Sequence, residues 1–413
     1  MKRTIFISFF LLPLVLAQEK GKADKNFQKK DSPSILIEEQ QDNDQRYQHL
    51  KTFSDVLNII ESSYVRKMST EQLTKGAIKG MIRELDPYSH FLSAEELNTF
   101  KEEARGQFKG FGIELAIKNK LLIVISVLEN SPAQAAGLKA GHIIIKVNNQ
   151  KTIGLNRKEI NNLLKTKMKG KISLLIKEPN SKKINQLKLR SKIIDVHSVS
   201  YQDLGNQFLY IRINTFTKRT FSEMQKIINK YKKKEDHTLR SDLKGLILDL
   251  RGNPGGLFEP AIKIADLFIK KGIIVNIKGR MKDHDQTFKA SSYNTFSGFP
   301  ILVLIDSYSA SSAEILAGAL QENKRAILLG RKSFGKGSVQ SLIPMEDGNA
   351  VKLTIAHYYT PNGHSIHEQG IQPDIELKVK ETTDTEDTDF LQAVSLLKMF
   401  QFFSFATSAP SDP

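Results

Sequence analysis

The 413-residue chain holds no cysteine, which excludes disulfides, a thiolate nucleophile and any cysteine-ligated metal centre. Its length and 40% hydrophobic content suit two or three domains with real cores. The net charge of +16 reads first as a solvated lysine-rich surface and second as an attraction for anionic surfaces or acidic substrates; no aromatic stacking platform accompanies the charge, so nucleic acid is not an expected partner.

Met1 to Ala17 reads as a secretory signal: Lys2 and Arg3, an apolar run from Ile5 to Leu16, and a small-residue exit at Ala17. The run is short for a span of about 20 residues, so an exported protein without an integral membrane span is expected after its removal. Residues 18–45 are polar and charged and read as a flexible linker. Residues 46–105 have helical spacing, with Phe53, Val56, Leu57 and Ile60 in one segment and Leu73, Ile78, Met81 and Ile82 in the next. Asp86-Pro87-Tyr88-Ser89 breaks the pattern, and Ser93-Ala94-Glu95-Glu96 reads as the start of a third helix.

Residues 106–190 change to short strands and glycine turns. Gly110-Phe111-Gly112-Ile113 opens one strand, Leu121 to Val127 forms a second, and Ile143 to Val147 with the Asn148-Asn149 turn forms another strand pair. Ser131 to Leu138 reads as a short helix closed by Gly137. In this order the segments resemble a PDZ domain, a module that binds extended C-terminal peptides by strand addition. The resemblance puts the peptide carboxylate near Gly110, Phe111, Gly112 and Ile113. Residues 139–192 also hold fifteen Lys and Arg against two Glu, which reads as a solvated sheet surface or an attraction for anions.

Residues 191–378 alternate strands (Leu209 to Ile213, Leu243 to Leu250, Ile301 to Ile305, Ala326 to Leu329) with helices (Phe221 to Tyr231, Ile262 to Phe268, Ala313 to Leu320), an α/β core. The tail, 379–413, is acidic and then helical around Phe390 to Leu397, with disorder expected from Ala406. The fold class is thus mixed multidomain, α/β and β: a helical N-terminal region, a PDZ domain and an α/β core.

Within the core, Ser311 follows a buried strand and opens a helix. Ser311-Ser312-Ala313-Glu314 fits a capping box, so Ser311 could be a cap; a helix N-terminus also favours a developing oxyanion. Lys336 sits between Gly335 and Gly337, with Phe334 and Val339 beside the loop. Held against a core it would lose its proton more easily than a solvated lysine and could deprotonate a serine. Gln340 follows four residues on and could orient it. Gly330 to Gly337 nearly matches a phosphate-binding loop, but Gly337 stands where Ser or Thr belongs and the next residues look extended. His364 and His367 near Glu368 match no strong metal spacing, and a triad through His357 has no spacing support.

Taken together, Asp86-Pro87-Tyr88-Ser89, the PDZ segments, Asp249-Leu250-Arg251-Gly252-Asn253-Pro254-Gly255-Gly256, Ser309-Ala310-Ser311-Ser312-Ala313-Glu314, Phe334-Gly335-Lys336-Gly337-Ser338-Val339-Gln340 and Tyr359-Thr360-Pro361-Asn362-Gly363 resemble the carboxy-terminal processing peptidases, or tail-specific proteases. The resemblance spans roughly residues 50–378. It implies a serine endopeptidase without metal or cofactor, cleaving exported proteins near their C-termini. By it Ser311 is the nucleophile, Lys336 the general base and Gln340 the residue that orients the lysine; the oxyanion hole uses backbone N–H groups of Ser312 and of Gly255 or Gly256. A catalytically silent PDZ scaffold is the other reading, and self-association is left open.

Overall fold

In a computed structural model the structure describes residues 14–15, 33–118, 120–128, 130–156, 159–160, 163, 170–179, 183–231, 243–291, 295–378 and 387–407. The expected signal segment lies outside them except for Leu14–Val15, as do residues 18–32 and 408–413. The chain divides into two units, one containing residues 96–339 and 355–413, the other 16–95 with 340–354.

In the second unit, helix α1 (Pro33–Ser63) begins well inside the expected linker, so residues 33–45 are helical. Pro33 suits a first helical position, and the Glu and Gln residues that follow are good helix formers even without an apolar stripe. Helix α2 (Thr70–Arg83) is capped by Ser69, whose Oγ accepts the Gln72 N–H. The expected break at Asp86 is an Asx turn, with its Oδ1 accepting the N–H groups of Tyr88 and Ser89 at 2.7 Å each. Strand His90–Leu92 pairs antiparallel with Ala350–Lys352.

The first unit contains a β-domain and an α/β layer. Strands β1 (Gln107–Gly110), β2 (Ile113–Lys118) and β3 (Leu121–Val127) precede the one-turn helix α3 (Pro132–Ala135), which Ser131 caps. Strands β4 (Ile143–Val147), β5 (Lys171–Lys177), β6 (Ile184–Arg190) and β7 (Lys192–Asp195) follow. The sheet order β2-β3-β4-β5-β6 leaves β2 at an edge, and β1 pairs antiparallel with β7 where the chain enters and leaves the domain. Inward-facing Leu122, Val124, Ile144, Ile172, Leu174 and Ile176 form its core, while Lys171, Lys188 and Arg190 alternate outward, as a half-buried sheet requires.

The α/β layer is a six-stranded sheet in sequence order: β8 (Val199–Asp203), β9 (Phe208–Ile213), β10 (Gly245–Asp249), β11 (Ile301–Ile305), β12 (Ile327–Gly330) and β13 (Ile375–Glu376). Only the β8–β9 pair is antiparallel. Strands β10 and β11 are buried at every residue, which is why they read as unbroken apolar runs. Helices α4 (Thr220–Ile228), α5 (Phe258–Phe268) and α6 (Ser312–Glu322) contribute to one hydrophobic cluster. The tail helix α7 (Thr388–Thr407) contributes to another: its Ala393 and Leu397 pack with Ile247, Leu302 and Leu329. The tail is therefore part of the core unit, and it runs beyond the eight residues expected to be helical.

Candidate active site

Neighbouring parallel strands deliver their following loops to one end of a sheet, where α/β folds place their sites. Three such loops follow β10, β11 and β12 here, and hydrogen bonds join them. Gly252 N–H donates to Asp306 Oδ1 at 2.9 Å, Ala310 N–H to the Asn253 carbonyl at 2.9 Å, and Phe334 N–H to the Ser309 carbonyl at 3.0 Å. The Ser309 hydroxyl is used in the same way, donating to the Leu250 carbonyl at 2.8 Å.

Ser311 sits at the corner between β11 and α6 with φ 58° and ψ −115°, a conformation that disfavours any side chain. Such strain costs about 1–3 kcal/mol and persists only where surroundings enforce it. The residue thus turns the chain from the strand side into the first residue of α6, a strand-to-helix corner of the kind a nucleophile elbow uses. Oγ is fully buried and makes no hydrogen bond among the described residues. Half of the expected capping box is present, since Glu314 accepts the Ser311 N–H at 2.7 Å, but the hydroxyl itself is not spent as a cap.

Glu314, expected only as the far half of a cap, reaches further. Its Oε2 accepts N–H from both Ser311 (2.7 Å) and Lys336 (2.9 Å), so one oxygen joins the two backbones. Its Oε1 accepts from Gly335 N–H and the Ser333 hydroxyl. Burial pushes this carboxyl's pKa up, and the hydrogen bonds from Ser333, Gly335, Ser311 and Lys336 pull the other way. Lys336 is 1% exposed, a buried amine on a loop that glycine keeps close to its neighbours: a Cβ at Gly337 would lie 2.3 Å from the His367 nitrogen. Glu314→Gln is expected to cost both stability and rate. The amide would set an NH2 against two donors, and each orphaned buried donor costs about 1–3 kcal/mol. The rate should fall by about 100-fold through misplacement of the two loops. Steady-state kinetics beside a thermal melt checks this; normal kcat in the folded variant removes Glu314 from a positioning role.

The Gly255-Gly256 turn packs against the same corner. A Cβ on Gly255 would come within 2.8 Å of Ser311 Cβ, and one on Gly256 within 2.2 Å of the Phe216 carbonyl oxygen. The two N–H groups differ in their engagement. Gly255 N–H donates to Asn253 Oδ1 at 2.8 Å, whereas Gly256 N–H has no acceptor among the described residues. Ser312 N–H opens α6 and so has no intrahelical acceptor, while its hydroxyl bonds the Gly256 and Leu257 carbonyls.

Gln340 belongs to the second unit, where it is buried and its amide donates to Thr354 Oγ1 at 3.2 Å. Residues 338–344 are extended, which excludes the helix a phosphate-binding loop requires. His364 pairs with Glu322 at 2.9 Å, and His367 instead meets the His357 ring at 4.6 Å, so the histidines do not gather around Glu368. In the β-domain, the Phe111 and Gly112 carbonyls accept N–H from Ala133 and Leu128, fixing the loop that leads into edge strand β2.

Residues 207–377 match the family model of peptidase family S41, residues 99–177 that of the PDZ domain, and residues 16–96 that of the N-terminal domain of the activating protease CtpB. The chain is 38% identical over 333 residues to a carboxy-terminal-processing protease of Bartonella bacilliformis, covering 80% of this chain and 75% of the relative. It is 34% identical over 349 residues to a protein named as a CtpA-like serine protease, with the qualifier probable, in Staphylococcus epidermidis, covering 83% and 69%. A solved structure assigned to the S41 proteases of Bacteroides fragilis shares the fold, with TM-score 0.52 at 16% identity over 81% of this chain and 91% of that one.

Proposed function

The chain belongs to peptidase family S41, and from that premise we propose that it is a Ser311/Lys336 endopeptidase that cleaves exported proteins near their C-termini. One observation carries the reading: a buried hydroxyl at a strained strand-to-helix corner shares a single Glu314 oxygen, through its backbone, with a buried lysine. In its neutral form Lys336 takes the Ser311 Oγ proton as Oγ attacks the scissile carbonyl carbon. The oxyanion that forms accepts N–H from Ser312 and Gly256, the donor of the glycine pair not already engaged. Lys336 then passes its proton to the leaving amine, and the acyl-enzyme is hydrolysed by a water that Lys336 deprotonates. Gln340 orients the lysine. A fluorophosphonate probe should label Ser311, read by peptide mapping; modification elsewhere with Ser311 untouched would remove the assignment. The scaffold alternative is set aside by the chain's place among serine-type peptidases.

The PDZ domain supplies selection in this reading. Edge strand β2 offers unpaired backbone groups to an extended peptide, and the loop from Gly110 to Ile113 stands where a terminal carboxylate would be held. An unfolded substrate with a free C-terminus should therefore be cut with higher kcat/KM than its amidated twin. Equal values would sink the role of the carboxylate while leaving the dyad intact.

A further inference from the structure

Beyond residue 377, where the match to the peptidase family ends, the chain returns to the site. Asp387 and Asp389 begin helix α7 and meet two arginines from different active-site loops. Arg251, two residues after the end of β10, makes a two-pronged bond to Asp387, Nη1 to Oδ1 and Nη2 to Oδ2 at 2.7 Å each. The same guanidinium holds buried Asp249 through Nε and Nη2 at 3.0 and 2.7 Å. Arg331, the first residue after β12, bonds Asp389 and reaches the Leu377 carbonyl. Asp389 is also 3.5 Å from Arg251, so this nearly buried carboxylate touches both arginines.

The strand order explains what that bridge spans. Strands β10 and β12 flank β11, whose following turn carries Ser311. At about 4.8 Å per strand, the outer two are roughly 10 Å apart, a gap that two long side chains meeting on one carboxylate span. The loop after Arg251 leads to Gly255 and Gly256; the loop after Arg331 leads to Lys336. We propose that Asp387 and Asp389 are positioning residues, a C-terminal clasp that holds the oxyanion-side loop and the lysine loop at a fixed separation on either side of Ser311. The proposal rests on the Ser311/Lys336 reading.

The electrostatics fit a clasp that is closed by charge. Arg212 completes the group, with Nη1 3.4 Å from Asp249 and Nη2 donating to the Arg251 carbonyl. Three guanidinium groups thus face three carboxylates. Burial opposes the Arg251 charge, and the bonds to Asp387 and Asp249 outweigh it and raise its pKa. The same contact holds the Asp387 carboxyl below its ordinary range. Removing Asp389 takes away the carboxylate that Arg331 bonds, and removing Asp387 takes the two-pronged bond from Arg251 and leaves it Asp249, so in each case the tie to the tail is lost and the loops should shift rather than stay in place.

The test uses the full chain with Asp387→Asn and Asp389→Asn, which keep size and one acceptor. Each is expected to lower kcat by about 100-fold with KM within a factor of about two, the signature of misplaced reacting groups over an intact binding surface. The rate of fluorophosphonate labelling at Ser311 should fall in parallel. Should either variant be poorly folded, Asp387→Glu and Asp389→Glu, which keep the charge on a longer stem, are expected to recover folding and part of kcat. Wild-type kcat in the folded Asn variants overturns the clasp, as does a loss that the unfolded fraction fully accounts for, or folded Glu variants no better than the Asn ones. Failure of the dyad reading looks different: wild-type enzyme would then be active with Ser311 unlabelled.

Discussion

Ser311→Ala is expected to reduce proteolysis by about 10⁵-fold or more, the scale seen when a serine peptidase loses its nucleophile and retains only binding and oxyanion stabilisation. The fold should survive. The hydroxyl makes no hydrogen bond among the described residues, so its removal orphans no partner, and the Glu314 bond runs to the Ser311 backbone N–H, which alanine keeps. The φ of 58° remains equally unfavourable for alanine, so strain neither appears nor is relieved. Ser309→Ala is the matched control. Its hydroxyl ties the turn to Leu250 and Asp306 rather than standing free, so it should lose stability first and rate only through it. Cleavage at a normal rate by the Ser311 variant, with melting unchanged, would transfer the nucleophile to another hydroxyl.

The reach of the sequence was set by whether a feature is local. Strands β10 and β11 were legible as apolar runs because both faces are covered, and Ser311 and Lys336 were legible as candidates because each lies in the turn that follows an apolar strand, Ile301–Ile305 or Ile327–Gly330. The start of α1 was not, since residues 33–45 carry helix propensity without apolar spacing and so resemble a linker. Glu314 was legible only as half of a capping box. That it also collects N–H groups from residues 335 and 336 depends on β12 lying beside β11, which no local pattern encodes. The arginine clasp was hidden for the same reason: Asp387 and Arg251 are 136 positions apart, and an acidic tail reads as solvated until the chain is folded back. The two glycines proposed as oxyanion donors were indistinguishable in the sequence, and the structure separates them only in that Asn253 Oδ1 accepts the Gly255 N–H.

Replacing Lys336 should produce the second large effect. Lys336→Ala is expected to lower kcat/KM by about 10⁴-fold, the upper range for a lost general base. Lys336→Arg should be as inactive, because a guanidinium stays protonated at any working pH and cannot accept the Ser311 proton. A side chain only 1% exposed pays for charge in desolvation, so burial favours the neutral amine. The sign of the pH dependence follows: the ammonium is the inactive form, so kcat/KM should rise as pH rises through the lysine's pKa in the folded enzyme, and level off above it. That midpoint should fall below about 10.4, the value of a solvated lysine. Screened repulsion from the other lysines of this basic chain cannot supply such a shift, since it fades over about 10 Å in ordinary salt. The profile should therefore keep its midpoint when ionic strength is raised. A midpoint above 10.4, a midpoint that tracks salt, or an active arginine variant would each take the base role from Lys336 and turn attention to His357, which lies in the same unit against His367.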